Sequence, residues 1–191
     1  VEQATTEQSS SSTQNQPIAN DGATGITQQV DDSLMAAMNN EKYGVFAGHA
    51  SGTEKTFEIE NDDLVATFST KGGQIKRLVL KKHLTFEKKP LVLIDENSSD
   101  LDIWIKSNYR SINISDLYFS TNGKSSKVSA TDTLRFSYRV NLDGNRYIEQ
   151  QYAIPGTGYV IGYNLKMSGL DGIVDNEDVD RKSTRLNSSH V

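Results

Sequence analysis

Cysteine is absent from the 191-residue sequence, and so is any long hydrophobic run. Without cysteine the chain can form no disulfide bond and no cysteine-ligated metal site. A helix needs about 20 consecutive apolar residues to cross a bilayer, and the sequence contains no such run. The first residue is Val1 and no signal peptide is visible. We therefore expect either a piece of a longer chain or a protein whose targeting segment has been removed.

Apolar residues are scarce overall, and charge is unevenly placed. Hydrophobic residues make up 35% of the sequence, which is low for a chain that is globular throughout, so part of it is expected to be unfolded. Residues 1–41 contain acidic residues but no Lys or Arg, whereas the segment from Arg181 onward is basic. The part between them is nearly balanced. This balance argues against nucleic acid as a partner, because phosphate binding needs a concentrated basic face.

Residues 1–42 are predicted to form a disordered linker. Half of the first forty residues are Ser, Thr, Asn or Gln, and such a segment buries too little apolar surface to offset its chain entropy. A short helix over residues 31–39 is the one exception, and an isolated helix of that length is expected to be transient. Aromatic residues appear within residues 41–48, which places the start of the folded domain near Tyr43.

The central pattern is a hairpin over residues 61–83. Residues 64–69 and 74–80 are rich in strand-forming residues. Lys71-Gly72-Gly73 supplies the turn between them, because glycine takes a positive φ without a Cβ clash. Strands are also predicted at residues 56–59 and 101–106, from the two-residue period of their apolar side chains, and at residues 91–94, a short apolar run introduced by Pro90.

A meander over residues 134–168 gives the clearest strand signal. Leu134, Phe136, Tyr138 and Val140 alternate with polar residues. Two further strands follow, and the last, over residues 159–168, is predicted to be the longest. Clean alternation is typical of antiparallel sheets with one buried and one wet face. The sequence therefore predicts an all-β antiparallel sandwich over residues 43–180.

The last eleven residues, 181–191, have no pattern that continues this fold. They resemble a segment that occurs at the ends of unrelated translated sequences, where it derives from adaptor or vector read-through. We expect them to be a foreign tail. In that case the natural sequence is truncated near Asp180, and the sandwich domain is incomplete.

Candidate catalytic residues are few. The histidines are His49, His83 and His190, and His190 lies in the tail. The sequence contains no H-E-x-x-H zinc motif, no G-x-S-x-G nucleophile motif and no Gly-rich phosphate loop. Lys71-Gly72-Gly73 is too short to cradle a phosphate. No catalytic, cofactor-binding or metal-binding residue is therefore predicted.

An acidic group near the end of the domain does not have the spacing of the twelve-residue calcium loop. We interpret it as a solvated turn, because clustered charges generally stay hydrated. Its members are Asp171, Asp175, Glu177, Asp178 and Asp180.

A basic cluster lies in and after the second strand of the central hairpin. One interpretation is attraction to anionic lipid headgroups, for which each nearby cation is worth about 1 kcal/mol. The other is protection of a sheet edge by lysine, which we favour because acidic residues elsewhere balance the body. The cluster contains Lys76, Arg77, Lys81, Lys82, Lys88 and Lys89.

Five segments occur in an order and spacing that match a known family. They are E-K-Y-G-V-F-A at 41–47, F-S-T-K-G-G-Q-I-K-R-L-V-L at 68–80, K-P-L-V-L at 89–93, S-I-N-I-S-D-L-Y-F at 111–119 and I-E-Q-Q-Y at 148–152. This ordered set covers about residues 41–180. It resembles the large periplasmic domain of the YidC membrane protein insertase family, in the version found in Bacteroidota.

The resemblance implies a β-supersandwich similar in shape to galactose-mutarotase-like domains. It implies a place between a first transmembrane helix, which the linker 1–42 would follow, and a five-helix membrane core. The whole protein would insert and fold inner-membrane proteins, alone or beside the Sec translocon, without being an enzyme in the bond-making sense. This portion would face the periplasm. The implied partners are the Sec translocon with its accessory subunits and, through the missing core, nascent inner-membrane proteins.

Two other functions are compatible with the same fold. The first is a carbohydrate-binding or mutarotase-like module, which would need a carboxylate and histidines converging in a cleft as general base and acid. His49 and His83 are the candidates, and Trp104 or a tyrosine could stack on a sugar, although aromatic residues in alternating strands are more often core or rim residues. The second is a surface-tethered structural β-domain with no ligand.

Overall fold

Twelve β-strands, one α-helix and two 3₁₀ helices make up the part of the chain that the structure describes. The structure is a computed structural model, and it describes residues 23–95, 99–174 and 180–185. Its strands form three sheets and pair almost entirely in antiparallel fashion, which confirms the predicted all-β antiparallel sandwich. The chain divides after Met35 into two compact units, and all the described strands belong to the second.

The first sheet is built around the predicted central hairpin. In spatial order its strands are β4 (Pro90–Ile94), β3 (Gln74–Leu84), β2 (Leu64–Ser69), β1 (Thr56–Glu60) and β8 (Ser126–Lys127). β2 and β3 pair from Leu64↔Leu80 to Ser69↔Gln74. Among the described strands, β1 and β8 form the one parallel pair. β3 continues four residues beyond the predicted end at Leu80, because β4 pairs with it as far as Leu84.

The predicted meander forms the second sheet. In spatial order its strands are β11 (Gly162–Ser168), β10 (Arg146–Pro155), β9 (Thr133–Asp143) and β7 (Ser120–Thr121). The prediction that residues 159–168 form the longest strand is wrong, because β11 has seven residues whereas β3 and β9 have eleven each. Tyr159 and Val160 stay in the loop after β10, since pairing of β11 with β10 begins only at Ala153↔Gly162.

The third sheet contains a strand that the sequence did not predict. Its strands are, in order, β12 (Asp180–Arg185), β5 (Ser99–Ser107) and β6 (Arg110–Asn113). β12 lies in the segment that was expected not to continue the fold, yet its backbone pairs with β5 from Asp180↔Trp104 to Arg185↔Ser99. Strand pairing uses backbone groups, so it needs no side-chain pattern. The foreign origin of residues 181–191 stays a prediction, and residues 186–191 lie outside the described residues.

Aromatic rings join the first two sheets. Phe68 on β2 lies 4.9 Å from Phe136 on β9 and 5.1 Å from Tyr152 on β10, both in edge-to-face geometry. Phe57 on β1 stacks on Phe68 at 5.6 Å. Edge-to-face and offset pairs of this kind add to the free energy of burial. Isoleucines of β5 and β6 belong to the same core, so the third sheet packs into it as well.

A helix occupies part of the predicted linker. α1 spans Ala23–Tyr43, and the 3₁₀ helix Gly44–His49 follows it directly. α1 includes residues 31–39, where a short helix was expected, and it is longer at both ends. The linker assignment of residues 1–42 stays a prediction, and residues 1–22 lie outside the described residues. The end of α1 is fixed by tertiary contacts, since the hydroxyl of the buried Tyr43 donates to Asp116 Oδ2 at 2.9 Å. Phe46, in the 3₁₀ helix, is fully buried.

Candidate functional site

The Lys71-Gly72-Gly73 turn connects the first two sheets. Both glycines are buried and have positive φ values, 73° and 60°. Gln150 donates from Nε2 to the carbonyl oxygen of Gly72 (2.8 Å), and the Tyr152 hydroxyl donates to the carbonyl oxygen of Gly73 (2.9 Å). These contacts confirm the hairpin turn and show its role, which is to hold β10 against the central hairpin.

A cleft of about 550 Å³ lies against one end of the second sheet. Arg135 is the charged residue among the described side chains that line it, and these include no histidine and no carboxylate. The cleft can therefore form hydrogen bonds and ring contacts, but its described lining provides no histidine–carboxylate pair for acid–base catalysis. Its lining consists of Asn122, Arg135, Phe136, Ser137, Gln151, Tyr152, Ala153, Gly162, Tyr163 and Asn164.

The two candidate histidines lie on different elements and outside this cleft. His49 ends the 3₁₀ helix after α1, and its Nε2 lies 2.8 Å from the backbone carbonyl oxygen of Asn141. His83 lies on the exposed end of β3, where its ring contacts that of Tyr159 at 5.2 Å between centroids. The arrangement that a mutarotase-like enzyme needs, with His and carboxylate converging in a cleft, is not formed by the described residues.

The aromatic residues mostly serve the core, as their alternation predicted. Tyr43, Tyr138 and Tyr152 are buried, and Trp104 is half-buried on β5. Tyr163 lines the cleft, but its hydroxyl donates to Gln150 Oε1 at 3.0 Å and so belongs to the network behind the Gly72 turn. Phe136 and Tyr152, the other rings in the described cleft lining, belong to the buried core.

Sequence reasoning missed a charged row across the second sheet. Arg139, Glu149 and Lys166 are aligned on β9, β10 and β11. Glu149 is 8% exposed, and it accepts from Arg139 Nη2 at 3.1 Å. The Arg139 guanidinium lies 4.0 Å above the Tyr147 ring, and hydrogen bonds with Lys166 and Ser168 lower the pKa of the Tyr147 hydroxyl. Only the register of three strands brings these groups together, so no local signal predicts them.

The predicted basic cluster is divided between the two ends of β3. Lys76 and Arg77 lie near its start. The other four lysines lie within residues 81–90, which are all exposed and which we call the hairpin tip. Three of these lysines have carboxylate partners: Lys81 with Glu60 (2.8 Å), Lys82 with Asp63 (2.6 Å) and Lys89 with Glu87 (2.7 Å).

The carboxylates at the base of the hairpin tip are held in the charged form. The Lys82 ammonium and the backbone N–H of Gly158 lower the pKa of Asp63. Hydrogen bonds from Lys81 and Lys127 lower the pKa of Glu60 in the same way. A neighbouring cation favours the ionised carboxylate, which is the usual cause of such a shift.

The acidic group at 171–180 is only partly visible. Asp171 lies in a turn after β11, while Asp175, Glu177 and Asp178 lie outside the described residues. The part of the chain that is described contains no set of three or more His, Asp or Glu residues arranged to hold a metal ion. Within the same part, none of the helices combines the length and apolar character that a transmembrane span requires.

The sequence of the chain can now be compared with families of known proteins. The profile of the YidC periplasmic domain family matches residues 56–172. The chain belongs to the YidC periplasmic domain family. The match begins with β1 and ends just after β11, so it includes the first two sheets, the Gly72-Gly73 turn, the cleft and the hairpin tip of this YidC domain.

Curated relatives support the same membership. The membrane protein insertase YidC of Cytophaga hutchinsonii is 32% identical over 84% of this chain and 25% of its own length. That of Chlorobaculum tepidum is 37% identical over 76% of the chain and 25% of its own length, and that of Parabacteroides distasonis is 29% identical over 77% of the chain and 22% of its own length. The chain thus spans about a quarter of the length of these relatives. No solved structure matches it.

Proposed function

We propose that this chain is the periplasmic portion of a bacterial inner-membrane insertase, which inserts and folds inner-membrane proteins with or without the Sec translocon. The observation that supports the proposal most strongly is the family match over residues 56–172. Relatives named membrane protein insertase YidC align with most of the chain. The insertion step itself is assigned to the three quarters of those relatives that this chain does not span.

Within such a protein, we assign this portion the role of a rigid accessory or docking module. The ring contacts between Phe68, Phe136 and Tyr152 connect the sheets into one core, and such packing suits a body that holds its surface in a fixed shape. β4 and β11 are edge strands with one side unpaired among the described strands. Edges of this kind offer backbone groups to a partner, and we propose the Sec accessory subunits as that partner. The module needs no bond-making chemistry.

The ends of the chain have roles in the same proposal. Residues 1–42, whose later part is α1, would connect the domain to a preceding transmembrane helix. Residues 43–180 would form an incomplete sandwich, and residues 181–191 would be foreign. The natural sequence on both sides of the chain tests these assignments directly, because a five-helix membrane core should follow the domain.

Deletion of residues 43–180 from the full-length insertase tests the functional role. We expect weaker insertion of an inner-membrane client in proteoliposomes and weaker co-purification of the Sec accessory subunits. A matched variant in which a flexible linker of equal length replaces the domain separates loss of spacing from loss of docking. Wild-type insertion and wild-type co-purification by both variants would count against the accessory role.

The sugar-binding alternative is not proposed as a second function. The described residues that line the cleft provide neither a histidine nor a carboxylate, and the relatives are insertases by name. Calorimetric titration with galactose and glucose should accordingly give no binding heat. A binding heat that saturates with sugar concentration would support the sugar-binding function instead.

A further inference from the structure

Solvent-exposed apolar side chains are concentrated around the hairpin tip. The described residues include eleven large hydrophobic side chains that are exposed. Six of them lie on the β3–β4 hairpin or in the loop that contacts it through the His83–Tyr159 ring pair. These six are Leu84, Phe86, Val92, Leu93, Tyr159 and Val160. Exposed apolar side chains grouped on one hairpin and the loop beside it are typical of an interaction site.

Leu84 and Phe86 lie on the hairpin tip itself, which forms a defined turn. The backbone N–H of Thr85 donates to the carbonyl oxygen of Lys89 (2.8 Å), and that of Lys88 donates to the carbonyl oxygen of Thr85 (2.9 Å). Lys88 takes the positive φ of 60° that closes the turn. Phe86 is 105% exposed at its apex. The ring is therefore presented to solvent by an ordered hairpin.

Four lysines lie on the hairpin tip with Phe86, and two of the three carboxylates that pair with them lie on the body side. The side chains of Lys82 and Lys89 are 62% and 74% exposed. The carboxylates of Asp63 and Glu60, at the base of the hairpin tip, are only 12% and 26% exposed. Lys88 has no carboxylate partner among the described residues. Glu87, the partner of Lys89, is 68% exposed beside Phe86. The hairpin tip therefore carries an exposed apolar apex with four lysines and one carboxylate.

We propose that the hairpin tip docks on the surface of a lipid bilayer that contains anionic headgroups, with Phe86 and Leu84 entering the interface. Aromatic rings are favoured at the headgroup level of a bilayer, and lysine stems extend so that their ammonium groups reach the phosphates. A convex apex needs no complementary groove on a fluid surface, whereas a protein partner would have to supply one. The inference rests on the proposed function, which places the domain beside a membrane.

Vesicle sedimentation with the 191-residue chain tests the docking. We expect the chain to sediment with vesicles of phosphatidylglycerol and phosphatidylcholine at low salt, and to stay in solution with phosphatidylcholine alone. A Phe86→Trp variant should show a blue-shifted emission with the anionic vesicles, and brominated lipid should quench it. Raising the salt should weaken binding, because the Debye length shrinks from about 30 Å at 0.01 M to about 10 Å at 0.1 M.

Point variants locate the contact. Phe86→Ser should lower the partition coefficient about tenfold, from lost apolar burial. Lys88→Asn, which keeps a residue that tolerates positive φ, should lower it about fivefold, the expected effect of one lysine at an anionic surface. Tyr109→Ser is the matched control, because Tyr109 is 108% exposed at the β5–β6 turn of the third sheet, whereas the hairpin tip belongs to the first sheet. It should leave the partition coefficient unchanged.

Three outcomes would overturn the inference. They are no sedimentation with anionic vesicles at millimolar lipid, equal losses from Phe86→Ser and Tyr109→Ser, and binding to a poly-glutamate peptide without binding to vesicles. The last result would identify an acidic protein surface as the partner instead. None of these outcomes affects the insertion assay of the full-length protein, so failure of lipid docking and failure of the proposed function can be told apart.

Discussion

The hydroxyl groups of two core tyrosines differ in a way that matters for stability. The Tyr152 hydroxyl donates to the carbonyl oxygen of Gly73, whereas the Tyr138 hydroxyl is buried with no hydrogen-bond partner among the described residues. Burial raises the pKa of both groups, so both stay neutral over the usual pH range. The Tyr152 hydroxyl satisfies the buried carbonyl of Gly73, whereas burying the Tyr138 hydroxyl without a described partner costs free energy of folding.

Replacing each tyrosine by phenylalanine should therefore have opposite effects. Tyr152→Phe leaves the Gly73 carbonyl without its donor and should lower the free energy of unfolding by about 1–3 kcal/mol. Tyr138→Phe removes an unsatisfied group and should leave the stability equal or higher. Urea denaturation followed by far-UV circular dichroism measures both. Equal losses in the two variants would contradict this account of the turn.

Gly73 should tolerate no side chain. An added Cβ would lie 2.6 Å from Gln150 Nε2 and 3.2 Å from the Tyr138 Cβ, at a φ of 60°. Strain in the left-handed region costs about 1–2 kcal/mol and overpacking about 1–3 kcal/mol, so Gly73→Ala should destabilise the fold by about 2–5 kcal/mol. Gly48→Ala is the control, since its Cβ would meet nothing within 4 Å. The urea midpoint of Gly48→Ala should stay close to that of the wild type.

Ion pairs fix the hairpin tip to the body at the scale of elements. Asp63 lies just before β2 and pairs with Lys82 near the end of β3, while Glu60 at the end of β1 pairs with Lys81. The Asp63–Lys82 pair connects the start of β2 with the neighbouring β3, whereas the Glu60–Lys81 pair reaches across β2 from β1 to β3. Their carboxyl pKa values are lowered in the folded state, which makes the stability of this end of the sheet dependent on pH.

The sign of that dependence follows from the direction of the shift. A lowered folded-state pKa adds stability above the unfolded-state pKa, which is about 3.9 for Asp, and the gain is lost as the pH falls through the folded-state pKa. Asp63→Asn should therefore be less stable than the wild type at pH 7, and the difference should shrink below about pH 4. Urea midpoints at both pH values test this. Glu87→Gln, in the Lys89–Glu87 pair in which both side chains are exposed, should change the stability at pH 7 by less. If the stability loss of Asp63→Asn were the same at both pH values, the proposed link between the Asp63 pKa and stability would be wrong.

The segment that joins α1 to the first sheet contributes to the core through one ring. Phe46 is fully buried in the 3₁₀ helix. Phe46→Ala should lower the free energy of unfolding by about 3–5 kcal/mol, the usual cost of emptying a buried aromatic site. Phe86→Ala, at the exposed apex of the hairpin tip, should change it by less than about 0.5 kcal/mol. Similar losses in the two variants would mean that the segment before β1 does not pack as described.

At the scale of the whole molecule, the three sheets share one core. Ile103 and Ile105 of β5 are buried in the same cluster as Phe68 of β2 and Phe136 of β9. A shared core of this kind predicts that no sheet unfolds on its own. The docking role proposed above depends on the same property, because a surface that docks must keep its shape.

Cooperative unfolding is therefore expected. Trp104, the single tryptophan, lies on β5 in the third sheet, so its fluorescence reports there, while far-UV circular dichroism reports on all strands. The two urea transitions should coincide, as two-state unfolding requires. An earlier fluorescence transition would show that the third sheet is a separate unit.

Much of the strand layout was predictable from the sequence. The bounds of β2, the Gly72-Gly73 turn and the alternation along β9 depend on local patterns, since glycine φ preferences and the two-residue period act over a few neighbours. The ordered segments from Tyr43 to Tyr152 also carried the family resemblance. These properties need no knowledge of which strand lies beside which.

Only the tertiary structure decided the rest. The pairing of β12 with β5 and the Arg139–Glu149–Lys166 row depend on contacts between distant parts of the chain. The cleft and the exposed hairpin tip likewise depend on which strands pair and in which register. These features are set by strand pairing and by packing against remote residues. A short stretch of sequence does not specify which remote residues those are.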